Sequence, residues 1–243
     1  MDTPFCCTAR HWPDLNAAHE NAILINPDNA GHRATGRIQK RAVGKVNKFW
    51  KPGSTLKISF WDAWGPIPED LRQAIFEAGC KWLPYVNLKF ERVANRRDGD
   101  IKIAVVNSND NFSMFGTDAR MAADASMVLG IKPTDPKFQY AVIHEFGHAL
   151  GAEHEHQHPD ANIPWDEEEV YAYYAKKNVS RADVDEQVLS KLDRAGLLNT
   201  PYDRKSIMHY PVPQALTKGD WTVGTNLKIS RKDRRFMRLA YPA

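Results

Sequence analysis

Length, composition and charge exclude several classes of protein. The chain has 243 residues, 42% of them hydrophobic, enough for one substantial core or for one catalytic domain with an extension. Its 33 basic and 30 acidic residues nearly balance, which argues against a nucleic-acid-binding protein. No apolar run approaches the length of a membrane span. We therefore expect one globular domain that does not span a membrane.

The N-terminal residues 1–41 are predicted to be a loosely structured extension, because turn-forming Pro, Asp, Asn and Gly recur in them. They begin without the basic-then-apolar pattern of a secretory signal. The cysteines Cys6, Cys7 and Cys80 are odd in number and predict no disulfide framework. The basic residues 37–41 are either a processing site or a solvated segment.

A globular pattern starts near residue 49. Residues 56–60 alternate apolar and polar side chains and predict a half-buried strand. Pro66 and Pro68 open a predicted helix with an apolar stripe as far as Trp82, and Cys80 is expected to be buried in it.

Three further strands are predicted. Residues 86–90 form the second strand and residues 100–106 the third, which is nearly all apolar as in a sheet centre. Residues 126–130 form an apolar strand ahead of the next helix. The order of strands and helices predicts an α+β fold, a mixed sheet backed by helices.

Residues 138–150 are predicted to form a helix that carries a metal-binding motif. His144 and His148 lie four residues apart, on the same helix face, and can grip a zinc ion with two nitrogens. Gly151 can adopt the left-handed conformation and reverse the chain, which would return His154 as the third ligand of a catalytic zinc site. Glu145 could then take a proton from the metal-activated water and pass it to a leaving amine. The alternative for a bare His-Glu-x-x-His is a solvated helix face.

A second motif, Ser-Ile-Met-His-Tyr at residues 206–210, follows downstream. With His-Glu-x-x-His-x-x-Gly-x-x-His at residues 144–154, it resembles the metzincin clan of zinc peptidases. Glu-His at residues 155–156 and Pro-Tyr-Asp at residues 201–203 make the chain similar to the astacin family within that clan. The similarity runs from about residue 49 to the C-terminus. It implies a metzincin, zincin-like α+β fold: a mixed twisted sheet, an active-site helix and an irregular C-terminal subdomain.

The resemblance implies further roles for single residues. Met208 would form the hydrophobic floor beneath the zinc, and Tyr210 would be an extra zinc ligand that swings away to stabilise the transition state. The alternatives are a core methionine and a buried tyrosine with a hydrogen-bonded hydroxyl. Glu155 would tie down the mature N-terminus, or else accept a hydrogen bond from a ligand histidine. His156 and His158 are interpreted as surface groups or as groups behind the ligands.

The substrate of such an enzyme would be a protein or peptide. In metzincins the strand before the zinc helix is the sheet edge over the cleft, so the resemblance implies that an extended substrate adds to Ser126, Met127, Val128 and Leu129. The alternative is an ordinary edge strand protected by loops. The loops at residues 107–118 and 211–225 are expected to shape the substrate pockets.

The C-terminal part is predicted to contain three more helices. Acidic residues 166–169 open the first, and residues 182–192 form an amphipathic stretch. Ser230 and Asp233 predict a capping box that opens the last helix, which ends at Tyr241. The basic residues of this helix are interpreted as a solvated face, with binding of acidic partners as the alternative.

The extension could inhibit the site within the same molecule. Many peptidases of this clan carry a segment that supplies a ligand to the zinc, and Cys6, Cys7 or Asp14 could do so here; the alternative is a pair of exposed thiols on a mobile arm. Astacin prosegments usually use Phe-x-Gly-Asp, which we do not find. An extracellular location is implied by the resemblance, although secreted members carry two intradomain disulfides that this chain cannot form.

These observations predict an N-terminal extension (1–41) and a metzincin catalytic domain (42–243), with an N-terminal subdomain (42–151) and a C-terminal subdomain (152–243). The predicted function is that of a zinc-dependent endopeptidase with one catalytic Zn²⁺. One alternative is a catalytically silent, peptidase-like peptide-binding module. The other is a structural zinc site closed by His156 or His158 as a fourth protein ligand.

Overall fold

A mixed six-stranded sheet forms the scaffold. The structure, a computed structural model, describes residues 6–32, 48–62, 64–108, 110–130, 132–194, 198 and 200–243. The strands are β1 (Cys6–Arg10), β2 (Thr55–Trp61), β3 (Lys89–Arg92), β4 (Ile101–Val105), β5 (Asp110–Met114) and β6 (Met127–Leu129). Across the sheet they lie in the order β1-β5-β6-β4-β2-β3. Neighbours are parallel except β5 and β6, which are antiparallel.

The strands β2 and β4 confirm two predictions. β4 lies inside the sheet, and its buried residues Ile101 and Ile103 explain the apolar pattern. The second predicted strand is displaced, because a 3-10 helix (Cys80–Tyr85) continues the preceding helix and β3 begins only at Lys89. Cys80 is half-buried rather than buried. The strand β5 was not predicted, since the Asn- and Ser-rich composition of its surroundings indicated a loop.

The prediction that residues 126–129 form the sheet edge is wrong. β6 lies between β4 and β5 and pairs with both, so its backbone has no open side for a peptide. Burial of Ser126, Met127, Val128 and Leu129 agrees with an interior position. The strand beyond β6 is β5, and its outer side is paired with β1 from the N-terminal extension.

Six α-helices are present in the described residues. They are α1 (Leu15–Ile25), α2 (Glu69–Gly79), α3 (Phe138–Ala149), α4 (Glu167–Ala175), α5 (Arg181–Val184) and α6 (Arg231–Ala240). A π-helical turn (Asp185–Leu189) continues α5, so the predicted amphipathic stretch is helical but irregular. The capping box of α6 is confirmed, because Ser230 and Asp233 exchange side-chain and backbone hydrogen bonds.

Helix α3 lies in the main hydrophobic core, packed against α2, β5 and β6. Side chains from other elements bind carbonyl groups of this helix and of its cap. The Trp82 indole donates to Ile143 (2.8 Å), the Trp50 indole to Ala149 (2.8 Å), and the Tyr241 hydroxyl to Leu150 (2.8 Å). The carbonyls at a helix C-terminus have no partner within the helix, so the donors at Ala149 and Leu150 fix the end from which the site is built.

The N-terminal extension is ordered over residues 6–32, which corrects the prediction of a loosely structured segment. Asp14 caps α1, and the buried residues Ala18 and Ala22, four apart, give this helix a small apolar face. That face packs on the 3-10 helix Gly116–Met121. Asn29 donates to the carbonyl of Phe49 (3.0 Å). Asn26 and Asn29 are buried, and both donate to backbone carbonyls of residues 49–50, so these two polar residues tie the extension to the rest of the chain. The basic residues 37–41 lie outside the described residues.

Candidate metal centre

Helix α3 presents His144 and His148 on one buried face, with ring centroids 4.8 Å apart. Each ring is oriented by its Nδ1 atom. His144 Nδ1 donates to the Ile207 carbonyl (2.8 Å), and His148 Nδ1 donates to the Ala152 carbonyl (2.7 Å). Such hydrogen bonds set the tautomer and leave Nε2 of each imidazole directed inward as a metal ligand.

The chain reverses at Gly151, which has a φ angle of +85°. The amide of Ala152 then donates to the Gly147 carbonyl (2.9 Å), closing the helix end. This turn brings His154 back to the helix, with its Nε2 atom 3.0 Å from Nε2 of His148. The sequence prediction that glycine at this position returns a third histidine agrees with this geometry.

The donor set fits a zinc ion. Potential ligand atoms of Cys7, His144, His148 and His154 lie within 4.8 Å of one another, and all four residues are buried. Burial lowers the pKa of His144 to about 4, and burial and neighbouring histidines lower the pKa values of His148 and His154 well below their ordinary value. Neutral imidazoles and a thiolate are the ligands that zinc prefers.

Glu145 lies beside the first histidine and is fully buried. Burial raises the pKa of its carboxyl to about 8, and a hydrogen bond with the Cys7 side chain acts in the opposite direction. A carboxyl with this pKa can accept or release a proton near neutral pH, as a general base that later acts as an acid must. Tyr140, which the sequence analysis did not single out, lies 5.7 Å from the ring of His144.

The turn at residues 206–210 is anchored by the last helix. The Asp233 carboxylate accepts the Ser206 hydroxyl (2.6 Å) and the Ile207 amide (2.9 Å). The carbonyl of Ile207 in turn holds His144. Met208 is buried against Gly147 of α3, where an added Cβ would overlap its sulfur. Met208 therefore packs on the helix that carries His144 and His148, and its role as a floor beneath the zinc stays a prediction.

Tyr210 is buried, and its hydroxyl donates to the backbone carbonyl of Cys7. Cys7 therefore contributes two groups to the centre, a thiol among the histidines and a carbonyl at Tyr210. Asp14, the carboxylate considered as an alternative blocker, caps α1 instead, and the side chain of Cys6 lies outside the described part.

His156 and His158 are not among the potential ligands of the described centre. Both are buried, rather than at the surface: His156 Nε2 binds the Gln187 carbonyl (2.9 Å) and His158 Nε2 binds the Thr200 carbonyl (2.7 Å). Glu155 accepts the amide of Asp203 (2.6 Å) and so ties the third-ligand segment to the stretch before the turn. Burial raises the pKa of Glu155 to about 8.

Comparison with known proteins agrees with this geometry. Residues 44–241 match the family model described as Astacin, a peptidase family. The chain belongs to the astacin family. It is therefore a zinc metalloendopeptidase, and its substrates are proteins or peptides.

Solved structures resemble this astacin-family chain. A structure of myroilysin has 32% sequence identity, covers 81% of this chain and 96% of its own, and gives a TM-score of 0.75. A crystal structure of myroilysin gives a TM-score of 0.61 at 33% identity over 81% and 86% of the two chains.

A more distant likeness shows the fold alone. High choriolytic enzyme 1, a hatching enzyme zinc-protease from the medaka fish Oryzias latipes, has 21% identity, a TM-score of 0.55, and coverage of 86% of this chain and 98% of its own. No curated protein matches the chain. Among the described residues, no helix of this astacin-family protein is long and apolar enough to cross a membrane.

Proposed function

We propose that the chain is a latent zinc endopeptidase in which His144, His148 and His154 hold the catalytic ion and Cys7 blocks it. The observation that carries the proposal is the joint position of these four ligand atoms, within 4.8 Å of one another. A zinc ion held there would supply Lewis-acid polarisation of a peptide carbonyl and a water molecule of lowered pKa. Residues 1–41 would be the inhibitory extension and residues 42–243 the catalytic domain, with subdomains 42–151 and 152–243.

Glu145 is assigned as the proton carrier. Its carboxyl accepts a proton from the attacking water and delivers it to the amine that leaves when the peptide bond breaks. The pKa of about 8 in the buried site supports a carboxyl that holds a proton during part of the cycle.

Tyr210 is assigned to the developing oxyanion. Its hydroxyl donates to a peptide carbonyl in this structure, that of Cys7, and a scissile carbonyl in the same place would receive the same hydrogen bond. Met208 is assigned a packing role beneath the ligands. The buried sulfur contacts the helix but has no part in proton transfer.

The extension is assigned an inhibitory role for a second reason. β1 pairs with β5 and covers the strand edge that borders the sheet on this side. An extended peptide substrate would need such an edge for its backbone hydrogen bonds. Release of β1 would therefore free the metal position and the strand edge together. An extracellular location, which the family resemblance implies, is part of this proposal.

The sharpest rival is a structural zinc site, because three histidines and one thiolate would close the coordination of zinc. The two functions predict opposite results when Cys7 is removed. A latent enzyme without Cys7 keeps its zinc and gains peptidase activity. A structural site without Cys7 loses zinc affinity and gains no peptidase activity.

The test compares the zinc-loaded full chain with its Cys7→Ala variant on casein and on a peptide library. We expect cleavage by Cys7→Ala, loss of cleavage with a chelator, recovery with zinc, and no cleavage by Cys7→Ala combined with Glu145→Gln. Cys6→Ala is the matched control and should stay latent. Peptide binding without cleavage by Cys7→Ala would instead favour the catalytically silent binding module.

A further inference from the structure

His156 lies flat against the ring of Tyr210. The two ring centroids are 4.3 Å apart and the ring planes differ by 19°, which is a stacked arrangement. His154 touches the same phenol at 4.4 Å, but with the planes 58° apart. Tyr210 therefore packs on the imidazoles of His154, a proposed ligand, and of His156, which lies outside the ligand group.

The ring of His156 is held by a hydrogen bond that lies outside the metal centre. His156 is buried in the 3-10 helix Glu155–Gln157, and its Nε2 atom donates to the Gln187 carbonyl (2.9 Å). The Gln157 side chain donates to the carbonyl of Glu186 (2.7 Å) and to the Ser190 hydroxyl (3.0 Å). These bonds fasten the short helix to the π-helical turn Asp185–Leu189, so the imidazole is a fixed surface.

The backbone of Tyr210 is also fixed. Its carbonyl accepts a hydrogen bond from His209 Nδ1 (2.6 Å), and the Nε2 atom of His209 accepts the hydroxyl of Tyr202 (2.7 Å). With the backbone held, the phenol ring is the part of Tyr210 that can move when the Cys7 carbonyl leaves its hydroxyl. Two stacked rings can slide past each other in their parallel planes and keep contact, whereas tilting one ring separates the two faces.

We propose that His156 is a positioning residue for Tyr210, whose phenol it confines to one plane so that the hydroxyl reaches the carbonyl oxygen of a bound peptide. The inference rests on the proposed function, in which that hydroxyl stabilises the oxyanion. Imidazole suits this position because it is flat enough to stack on the phenol and also carries the N–H that satisfies the buried Gln187 carbonyl.

The experiment uses the full chain with Cys7→Ala, which lacks the thiolate proposed to block the metal and to hold β1 over the site. His156→Ala should lower kcat roughly three- to tenfold, the range expected for one aromatic pair, with little change in KM and unchanged zinc content. His156→Phe keeps a flat ring and should restore most of kcat. His156→Leu, of similar bulk but not flat, should not; this pair carries the test if His156→Ala fails to fold.

A double-mutant cycle separates positioning from a general structural role. In the Tyr210→Phe background there is no hydroxyl to place, so His156→Ala should cause no further loss of kcat. An equal loss in both backgrounds, or loss of zinc on His156→Ala, would overturn the inference. If Tyr210→Phe keeps full kcat while Glu145→Gln abolishes it, the inference fails together with the assigned role of Tyr210, and metal-dependent hydrolysis stands.

Discussion

The hydroxyl of Tyr210 donates a hydrogen bond to the backbone carbonyl of Cys7, 203 residues earlier in the chain. The same cysteine places its sulfur within reach of the three metal-site histidines. The extension thus contacts the phenol and the metal position through one residue. A change that weakens either contact of Cys7 should therefore weaken the other.

Tyr210→Phe is expected to loosen Cys7 in the zinc-loaded full chain. Loss of one hydrogen bond, worth about 1 kcal/mol net, should raise the rate at which a thiol reagent labels Cys7 about fivefold. Peptide mass spectrometry distinguishes Cys7 from the other two cysteines. Tyr202→Phe is the matched control, since its hydroxyl binds His209 and not Cys7. Equal labelling of Cys7 in the two variants would contradict the coupling.

Asp118→Ala is expected to destabilise the protein by about 3–5 kcal/mol, because it leaves the buried ammonium of Lys48 without its carboxylate. The same carboxylate oxygen accepts the amide of Trp12 (2.8 Å), so the extension loses a contact as well. Urea unfolding measures the free energy.

Arg120→Ala is the control for that prediction. Arg120 pairs with Asp100 at 3.6 Å and is 57% exposed, so its removal should cost less than about 1 kcal/mol. The double variant Lys48→Met, Asp118→Leu should recover most of the stability, since no buried charge remains. Similar losses for Asp118→Ala and Arg120→Ala would show that burial of the first pair has no energetic consequence.

Gly147→Ala is expected to destabilise the protein by about 1–3 kcal/mol. Alanine ordinarily stabilises a helix interior relative to glycine, by roughly 0.5–1 kcal/mol. Here the added Cβ would overlap the sulfur of Met208 and approach the ring of Trp82, so overpacking outweighs propensity. Thermal unfolding measures the change. Gly224→Ala, where an added Cβ meets nothing within 4 Å, should be close to neutral.

The lowered pKa of His209 predicts that the free energy of unfolding decreases in acid. Burial lowers the pKa of its imidazole to about 4 in the folded protein, against an ordinary value of 6.5. The unfolded chain therefore binds more protons at this ring, and the stability that the neutral ring contributes is full above about pH 6.5 and is lost as the pH falls towards 4. Between pH 7 and pH 5 the loss is roughly 2 kcal/mol.

The comparison with His209→Gln measures this loss. The variant lacks a titrating ring, so its free energy of unfolding should fall by about 2 kcal/mol less than that of the wild type between pH 7 and pH 5. At pH 8 the ring is neutral in both states, and the difference measured there reports only packing and hydrogen bonds. Parallel profiles down to pH 5 would show that His209 does not have the lowered pKa.

Much of the candidate site follows from short-range patterns. The four-residue spacing of His144 and His148, the glycine at 151 and the capping box at Ser230 are each governed by backbone geometry within one or two turns. Such signals need no knowledge of the rest of the chain. They were sufficient to predict helix α3, the return of His154 and the start of α6.

The tertiary structure decided which distant segments meet. Only packing distinguishes Cys7 from Asp14 as the residue beside the histidines, and only strand pairing places β6 inside the sheet and β1 on its edge. The pairing of Cys7 with Asn111 and the bond from Trp12 to Asp118 join residues about a hundred positions apart. Their composition was read as loop and extension because hydrogen bonds at that separation leave no periodicity in the sequence. The sequence by itself determined the metal-binding motif, whereas the packing of the whole chain determined what covers it.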